Sequence, residues 1–170
     1  MTSLCCKVLE LFYGKTLVTA ESCTGGGIGA ALTAIPGSSA IYKGGVICYT
    51  NWVKTNVLGV SEELLDAFGP VSAPVAEAMA KGVQEYLQAD AAISVTGLAG
   101  PGGDDYGNPV GTVYIGCRIG DESMVQKFFF DGDREAIRHE AVSAALQLTI
   151  AMMKIDKLNE LLDRKNPKGG

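Results

Sequence analysis

The stretch that decides the fold is LVTAESCTGGGIGAAL at residues 17–32. Its apolar start predicts a buried strand, its glycines predict a tight turn, and the apolar residues that follow predict a helix packed on a sheet. Glycines let the backbone approach a ligand closely, and the N–H groups of a helix's first turn favour an anion or an oxyanion. Ser22, in the turn, is therefore a candidate nucleophile. The alternative is that Ser22 or Thr24 only caps the helix.

The length and charge of the chain limit the classes of protein to which it can belong. Its 170 residues fit one domain, and its formal net charge of −5 disfavours a nucleic-acid or anionic-membrane surface, which needs clustered Lys and Arg. No run of about 18 apolar residues, the length that spans a bilayer, is present. The N-terminal residues lack a signal-peptide pattern, and the five cysteines have no paired spacing. We expect a cytoplasmic protein with reduced thiols.

Apolar runs that alternate with amphipathic stretches predict strands separated by helices. The strands are expected at 16–20, 43–49, 91–96, 111–118 and 124–130. The helices are expected at 2–13, 28–34, from a cap at Asn51, at 62–67 after a cap at Ser61, from a cap at Ser72 to Leu87, and from 134 to about Leu162. This order predicts an α/β fold with helices on both faces of a mostly parallel sheet, which the late hairpin makes mixed. One domain over residues 1–162 and a solvated tail at 163–170 are expected.

The carboxyl ends of the strands are the expected ligand site, because open α/β sheets bind ligands there. The turns after Ala20, Tyr49, Thr96 and Phe130 should meet at that edge. The loop TGLAGPGG at 96–103 is too rich in glycine for regular structure, and we interpret it as one wall of the site.

A serine hydroxyl needs a neighbouring base to act as a nucleophile at neutral pH. His139 is the only histidine, and its position in the middle of the last helix favours a surface role. A lysine can be the base when burial or nearby positive charge lowers its pKa. Lys54, beside Val53 and just after a predicted buried strand, is the candidate. The alternative is a solvated lysine on a helix surface.

Further motifs follow one another in a fixed order along the chain. They are AESCTGGGIGAAL, PGSSAIYKGGVICYTNWVK, GVS, FGPVS, SVTGLAGPGG, NPVGTVYIG and FDGDREAIR. Over about residues 5–150 they resemble the CinA C-terminal-domain family, which comprises the nicotinamide mononucleotide amidohydrolases. Several motifs in the right order are far more specific than one glycine-rich loop.

The resemblance implies an α/β/α fold with a mixed five-stranded sheet, and hydrolysis of the carboxamide of nicotinamide mononucleotide to nicotinate mononucleotide and ammonia. By motif, it implies that Ser22 is the nucleophile, Lys54 the catalytic lysine and Tyr49 a further catalytic group. The substrate contacts implied by the motifs, together with two from the glycine-rich turn, are Ser39, Thr96, Gly97, Arg134, Thr24 and Gly25.

The resemblance also implies which partners to expect. No metal or organic cofactor is implied, and the ligand is a small nucleotide rather than a nucleic acid or a membrane. A homodimer or a higher homo-oligomer is expected. Many relatives carry an N-terminal nucleotide-pyrophosphatase domain, and that second activity is not expected.

Several alternatives stay open. Arg134 is suited either to a phosphate or to a salt bridge with Asp131 or Asp133 at the start of the last helix. Cys23 adjoins Ser22 but is interpreted as a small buried residue rather than a second nucleophile. At the level of function, the alternatives are a non-catalytic nucleotide-binding or regulatory module and an amidase that acts on another carboxamide.

Overall fold

The computed structural model describes residues 1–165, with side chains up to residue 162, and contains six α-helices and five strands in this range. The strands are β1 (Leu17–Glu21), β2 (Tyr42–Ile47), β3 (Ala91–Gly97), β4 (Thr112–Ile119) and β5 (Glu122–Phe129). The helices are α1 (Thr2–Leu11), α2 (Gly27–Thr33), α3 (Asn51–Asn56), α4 (Glu62–Phe68), α5 (Ala73–Leu87) and α6 (Arg134–Lys165), and a 3₁₀ turn covers Ser38–Ala40. None of the described helices has both the length and the apolar composition to cross a membrane.

The five strands form one sheet in the order β2-β1-β3-β4-β5. β1 pairs in parallel with β2 and β3, whereas β4 is antiparallel to both β3 and β5. Four strands therefore run in one direction and β4 opposes them, although only two of the four pairings are parallel. The predicted mixed five-stranded sheet is confirmed.

Two apolar layers cover the sheet. On one face, side chains of α1, α2 and α6 pack on the sheet, among them Val8, Ile28 and Ile137. On the other face, α5 presents Val75, Met79 and Val83 in the predicted stripe, and residues near α3 and α4 complete the layer. The expected three-layer α/β/α architecture is confirmed, and both faces of β1 are buried along its whole length, as in a central parallel strand.

Helix starts agree with the sequence except at α3. Ser61 caps α4 as predicted, and its Oγ accepts a hydrogen bond from Leu64 N at 3.2 Å. Asn51 was expected to cap α3, but the cap is Thr50, which has an extended backbone and whose Oγ1 accepts a hydrogen bond from Val53 N at 3.4 Å. Asn51 is instead the first residue of the helix.

The last helix is longer than expected. α6 continues to Lys165, three residues beyond the predicted end at Leu162. The first part of the predicted tail is thus helical, and residues 166–170 of that tail lie outside the described residues.

Candidate active site

A cavity of about 270 Å³ opens at the carboxyl ends of β1, β2 and β3. Its wall comes from the turn after β1, the segment from Tyr49 to Lys54, the Pro70–Val71 segment, the loop after β3 and Arg134 at the start of α6. The four turns that the sequence placed at this edge all contribute to it, because the parallel strands β1, β2 and β3 end there together.

Ser22 and Lys54 meet inside this cavity although 32 residues separate them. Lys54 Nζ lies 3.1 Å from Ser22 Oγ and donates a hydrogen bond to the backbone oxygen of Cys48 at 2.8 Å. Lys54 is 2% exposed and Ser22 is 7% exposed. The interpretation of Lys54 as a solvated surface lysine is therefore wrong: α3 follows β2 so closely that its lysine points back under the end of β1.

The surroundings of Lys54 favour the neutral amine. Burial lowers the pKa of Lys54 below its ordinary value of 10.5, and the negative charge that Cys48 and Cys23 would carry if ionised opposes that shift only in part. No ion pair among residues 1–162 involves Lys54. A neutral amine here donates one N–H to the Cys48 carbonyl and keeps its lone pair for the Ser22 hydroxyl.

The two cysteines beside Lys54 stay as thiols. Burial raises the pKa of Cys23 to about 12 and that of Cys48 to about 11. A thiol with so high a pKa is a poor nucleophile at neutral pH, since the thiolate is the reactive form. Cys23 is therefore a small buried residue beside Ser22, as the sequence indicated.

The turn that carries Ser22 is held by its own backbone. Ser22 N donates to Val95 O on β3 at 2.9 Å, and Gly25 N donates to Ser22 O at 3.0 Å. Gly25 and Gly26 have φ angles of +60° and +94°, which glycine adopts without strain. Neither Ser22 nor Thr24 caps α2, so that alternative is wrong. The carboxylate of Glu21 caps the helix, accepting from Ile28 N and Gly29 N at 2.9 Å each.

Arg134 bridges two sides of the cavity mouth. Its guanidinium donates to the Gly100 carbonyl at 2.7 Å and to the Tyr49 hydroxyl at 2.9 Å. The alternative of a salt bridge to Asp131 or Asp133 does not occur among the described contacts; Asp133 instead accepts from Ala136 N as the cap of α6. Arg134 thus brings a permanent positive charge to the cavity.

Several residues that line the cavity have backbone N–H groups without a backbone partner. Ser22 N and Leu98 N are already bound to backbone carbonyls. Cys23, Ala99 and Gly100 line the cavity, and their N–H groups donate to no backbone carbonyl within the described part of the chain. These groups are the available donors for an oxyanion.

The family assignment follows from comparison with known proteins. A family model for the CinA C-terminal domain matches residues 4–153. The chain belongs to the CinA C-terminal domain family. The resemblance drawn from the ordered motifs is thereby confirmed.

Curated CinA-family proteins are similar over most of this chain. It is 46% identical over 134 residues to the nicotinamide-nucleotide amidohydrolase PncC of Pseudomonas putida, covering 79% of this chain and 84% of that protein. It is 49% identical over 135 residues to a CinA-like protein of Synechococcus, covering 78% of this chain and 32% of that protein. The chain spans about a third of the length of the CinA-like proteins that it matches in this way.

Solved CinA structures share the fold. A CinA superfamily protein from Klebsiella pneumoniae superposes with a TM-score of 0.88 at 35% identity, covering 90% of this chain and 97% of that chain. A competence/damage-inducible protein from Agrobacterium tumefaciens gives a TM-score of 0.85 at 40% identity, covering 88% and 93%. The α/β fold described above is the CinA fold.

Not every residue predicted for the site reaches the cavity of this CinA domain. Ser22, Lys54, Tyr49, Thr96, Gly97 and Arg134 line it. Thr24 does not, because its hydroxyl donates to Glu21 on the opposite side of the turn, and Gly25 faces Arg138. Ser39 lies at the opposite end of the sheet from the cavity. Because β1 and β2 are parallel, the chain must cross back to the amino end of the strands before β2 begins, and Ser39 lies just before β2.

Other residues at the site of this CinA domain were missed. Glu21 was given no role, because the predicted strand ended at Ala20, and the signal was a carboxylate directly between that strand and the Ser22 turn. Asn51 was assigned to a cap, whereas it lines the cavity one helical turn before Lys54. The Cys48 carbonyl, which orients Lys54, carries no side-chain signal.

The loop at residues 104–109, whose role could not be predicted from the sequence, supports one wall of the CinA site. The Tyr106 hydroxyl donates to the Leu65 and Asp66 carbonyls at 3.2 Å each, and Asn108 Nδ2 donates to Val71 O at 3.1 Å. Because Val71 lines the cavity, the loop fixes that wall from outside. Among the described residues, no three His, Cys, Asp or Glu side chains cluster as metal ligands do.

Proposed function

We propose that the protein is an amidohydrolase of pyridine nucleotide salvage that converts nicotinamide mononucleotide to nicotinate mononucleotide and ammonia. The observation that carries the proposal is the 3.1 Å contact between Ser22 Oγ and Lys54 Nζ inside the cavity. The name of the Pseudomonas putida relative, a nicotinamide-nucleotide amidohydrolase, supports this choice of substrate.

In the first step, Ser22 Oγ attacks the carboxamide carbon while Lys54 Nζ takes the hydroxyl proton. The carbonyl oxygen becomes an oxyanion, and the N–H groups of Cys23, Ala99 and Gly100 are the donors proposed to stabilise it. Lys54 is then an ammonium ion in a buried site. That state is unfavourable, which drives the proton onward.

In the second step, the tetrahedral intermediate collapses and its C–N bond breaks. Lys54, directly or through the Tyr49 hydroxyl, passes the proton to the departing nitrogen, which leaves as ammonia. An ester links Ser22 to the nicotinate acyl group. Water then attacks the ester with neutral Lys54 as its base, and the carboxylate product leaves as Ser22 regains its proton.

The phosphate of the nucleotide is assigned to Arg134. Only two of the five N–H donors of its guanidinium are used in the contacts with Gly100 and Tyr49. A guanidinium binds phosphate through paired N–H groups. Its positive charge also favours an anion in the cavity, although the chain as a whole has a negative net charge. Thr96 and Gly97, which line the same cavity, are proposed as further substrate contacts.

We further propose a homo-oligomer in which a second copy completes the site. Ser39, implied as a substrate contact, lies at the far end of its own sheet, so it can serve a cavity only in another copy. Ile47, Tyr49 and Trp52, exposed by 56%, 57% and 67% beside the cavity, offer an apolar surface for that copy. Light scattering should give at least a dimer, and a monomer with full activity would contradict this part.

The experiment is to incubate the protein with nicotinamide mononucleotide, measure released ammonia and identify the acid product by mass spectrometry. Ser22→Ala should abolish turnover, whereas Ser123→Ala, on β5 and away from the cavity, should not. Full activity in Ser22→Ala would remove the mechanism. Ammonia only from other carboxamides would favour a different amidase, and binding of the nucleotide without ammonia release would favour a regulatory module.

A further inference from the structure

A buried carboxylate lies directly behind the turn that carries Ser22. Glu21 is fully buried and does not line the cavity. Its Oε2 accepts from Thr24 Oγ1 at 2.7 Å and from Ile28 N at 2.9 Å, and its Oε1 accepts from Gly29 N at 2.9 Å. No ion pair among residues 1–162 involves Glu21, so these donors alone hold the carboxyl group.

The same turn is held at a second point by α6. Arg138 Nη2 donates to the backbone oxygen of Thr24 at 3.0 Å. Thr24 is therefore tied through its side chain to Glu21 and through its carbonyl to Arg138. Both ties lie on the side of the turn that faces away from the cavity, where Thr24 is 1% exposed.

The turn needs these hydrogen bonds because its own backbone can adopt many conformations. Gly25 and Gly26, with positive φ, follow Thr24 immediately, and glycine restricts the chain less than any other residue. The Ser22 hydroxyl must nevertheless stay within hydrogen-bond reach of Lys54, since a misplacement of about 1 Å can lower a rate about 10²-fold. The bond between Glu21 and Thr24 spans Ser22 and Cys23 and fixes the two residues between its ends.

We propose that Glu21 and Thr24 are positioning residues for the nucleophile, with Arg138 as their support. Their hydrogen bond sets the conformation of the turn in which Ser22 Oγ points at Lys54 Nζ. The inference rests on the proposed function, and it replaces the expectation that Thr24 contacts the substrate. Loss of the bond should therefore slow the chemical step and leave substrate binding unchanged.

A matched set of substitutions tests the proposal. Thr24→Val keeps the shape of the side chain but removes the donor to Glu21, whereas Thr24→Ser keeps the donor. Thr149→Val is the control, because Thr149 is equally buried and its hydroxyl donates to Ala145 O within α6. For nicotinamide mononucleotide, Thr24→Val should lower kcat about 10- to 100-fold with KM within about twofold. Thr24→Ser should restore kcat to within about threefold, and Thr149→Val should leave it unchanged.

The reactivity of Ser22 gives a readout that does not depend on the substrate. A fluorophosphonate probe forms a Ser22 Oγ–P bond, fluoride leaves and Lys54 takes the proton, so the labelling rate reports the alignment of the pair. Thr24→Val should be labelled at least about tenfold more slowly than the parent protein. If the parent protein is labelled but releases no ammonia from the nucleotide, the proposed function fails while this comparison still decides the inference.

Other outcomes would overturn it. A Thr24→Val protein with normal kcat and labelling, or one in which only KM rises, would show that the bond does not position Ser22. If Thr24→Val does not fold by circular dichroism, Arg138→Met, which alters a more exposed residue, takes its place. That variant should lower kcat and the labelling rate about three- to tenfold, and unchanged values would reject the proposal.

Discussion

The two ends of the sheet shift the pKa of a lysine in opposite directions. Where β1 begins, Lys15 lies 2.7 Å from Asp156 and 3.0 Å from Glu160, and the hydrogen bond to Asp156 is the main reason that its pKa is raised above 10.5. Where β1 ends, Lys54 has a carbonyl and a hydroxyl as partners, and burial lowers its pKa. Surrounding carboxylates therefore favour the charged form of Lys15, whereas burial among neutral groups favours the neutral form of Lys54.

The two lysines also affect the free energy of unfolding in opposite ways. Lys54 has a folded pKa below the unfolded value near 10.5, so the unfolded state binds more protons between these two values. Its contribution to stability therefore rises with pH across that window. Lys15 has a raised folded pKa, so its contribution is complete below about 10.5 and is lost as pH rises through the folded value.

The largest expected effect separates the two lysines by activity. Lys54→Met should lower kcat for nicotinamide mononucleotide about 10²- to 10⁴-fold, because it removes the base while filling the same buried space. Lys15→Met should leave kcat unchanged. Steady-state ammonia release measures both. Equal losses in the two variants, or full activity in Lys54→Met, would end the assignment of Lys54 as the base.

The next effect separates two arginines. Arg134→Ala should raise KM for the nucleotide about 10- to 100-fold, because a charge-assisted contact to phosphate is lost, and should change KM for the corresponding nucleoside much less. Arg118→Ala is the matched control, since Arg118 contacts Gln84 and Asp121 at the opposite end of the sheet. Parallel changes in KM for nucleotide and nucleoside would contradict a phosphate site at Arg134.

A smaller effect appears in the pH dependence of the rate. Because Lys54 is active only when neutral, kcat/KM should fall about tenfold for each pH unit below the Lys54 pKa, and the midpoint should lie below 10.5. Lys15→Met should keep this profile. If kcat/KM stayed constant as the pH was lowered to the range in which carboxylates titrate, no lysine ionisation would control the reaction.

The smallest expected effect concerns the end of the sheet where β1 begins, and it should appear only in the free energy of unfolding. Asp90 Oδ2 accepts from Thr16 N at 2.6 Å and from Thr16 Oγ1 at 2.7 Å, and the hydroxyl contact is the main cause of a lowered Asp90 pKa. Asp90→Ala should lower the free energy of unfolding by about 1 kcal/mol in urea titrations at neutral pH. The loss should disappear at low pH, since the contribution of Asp90 fades as pH falls through its folded pKa. Altered kcat would show that the two ends are coupled.

The sequence predicted the site best where a motif follows a strand. Ser22 and the segment from Tyr49 to Lys54 follow strands that run in parallel, so their approach could be inferred from the βα pattern. The orientation of Lys54 could not be inferred from the local sequence, because a helix lysine beside Val53 is equally compatible with solvent. Its burial depends on the angle at which α3 leaves the sheet.

One physical cause explains why two of the predicted residues do not reach the cavity of their own chain. Thr24 and Ser39 carry the right chemical groups, but the choice of partner for a hydroxyl group depends on tertiary contacts that a local pattern does not contain. Thr24 turns to the buried Glu21, and Ser39 lies where the crossover returns to start β2. The number of strands and the order of helices and strands along the chain could be predicted from the sequence. The number of antiparallel strand pairs could not, because it depends on β4 pairing with β3.

The most direct test is an NMR titration of the lysine side chains in the free protein, with Lys54 assigned through Lys54→Met and Lys15 through Lys15→Met. Lys54 should titrate below 10.5, and Lys15 should titrate above it. A Lys54 that titrates at or above 10.5 would contradict the central claim that burial supplies a neutral amine to Ser22.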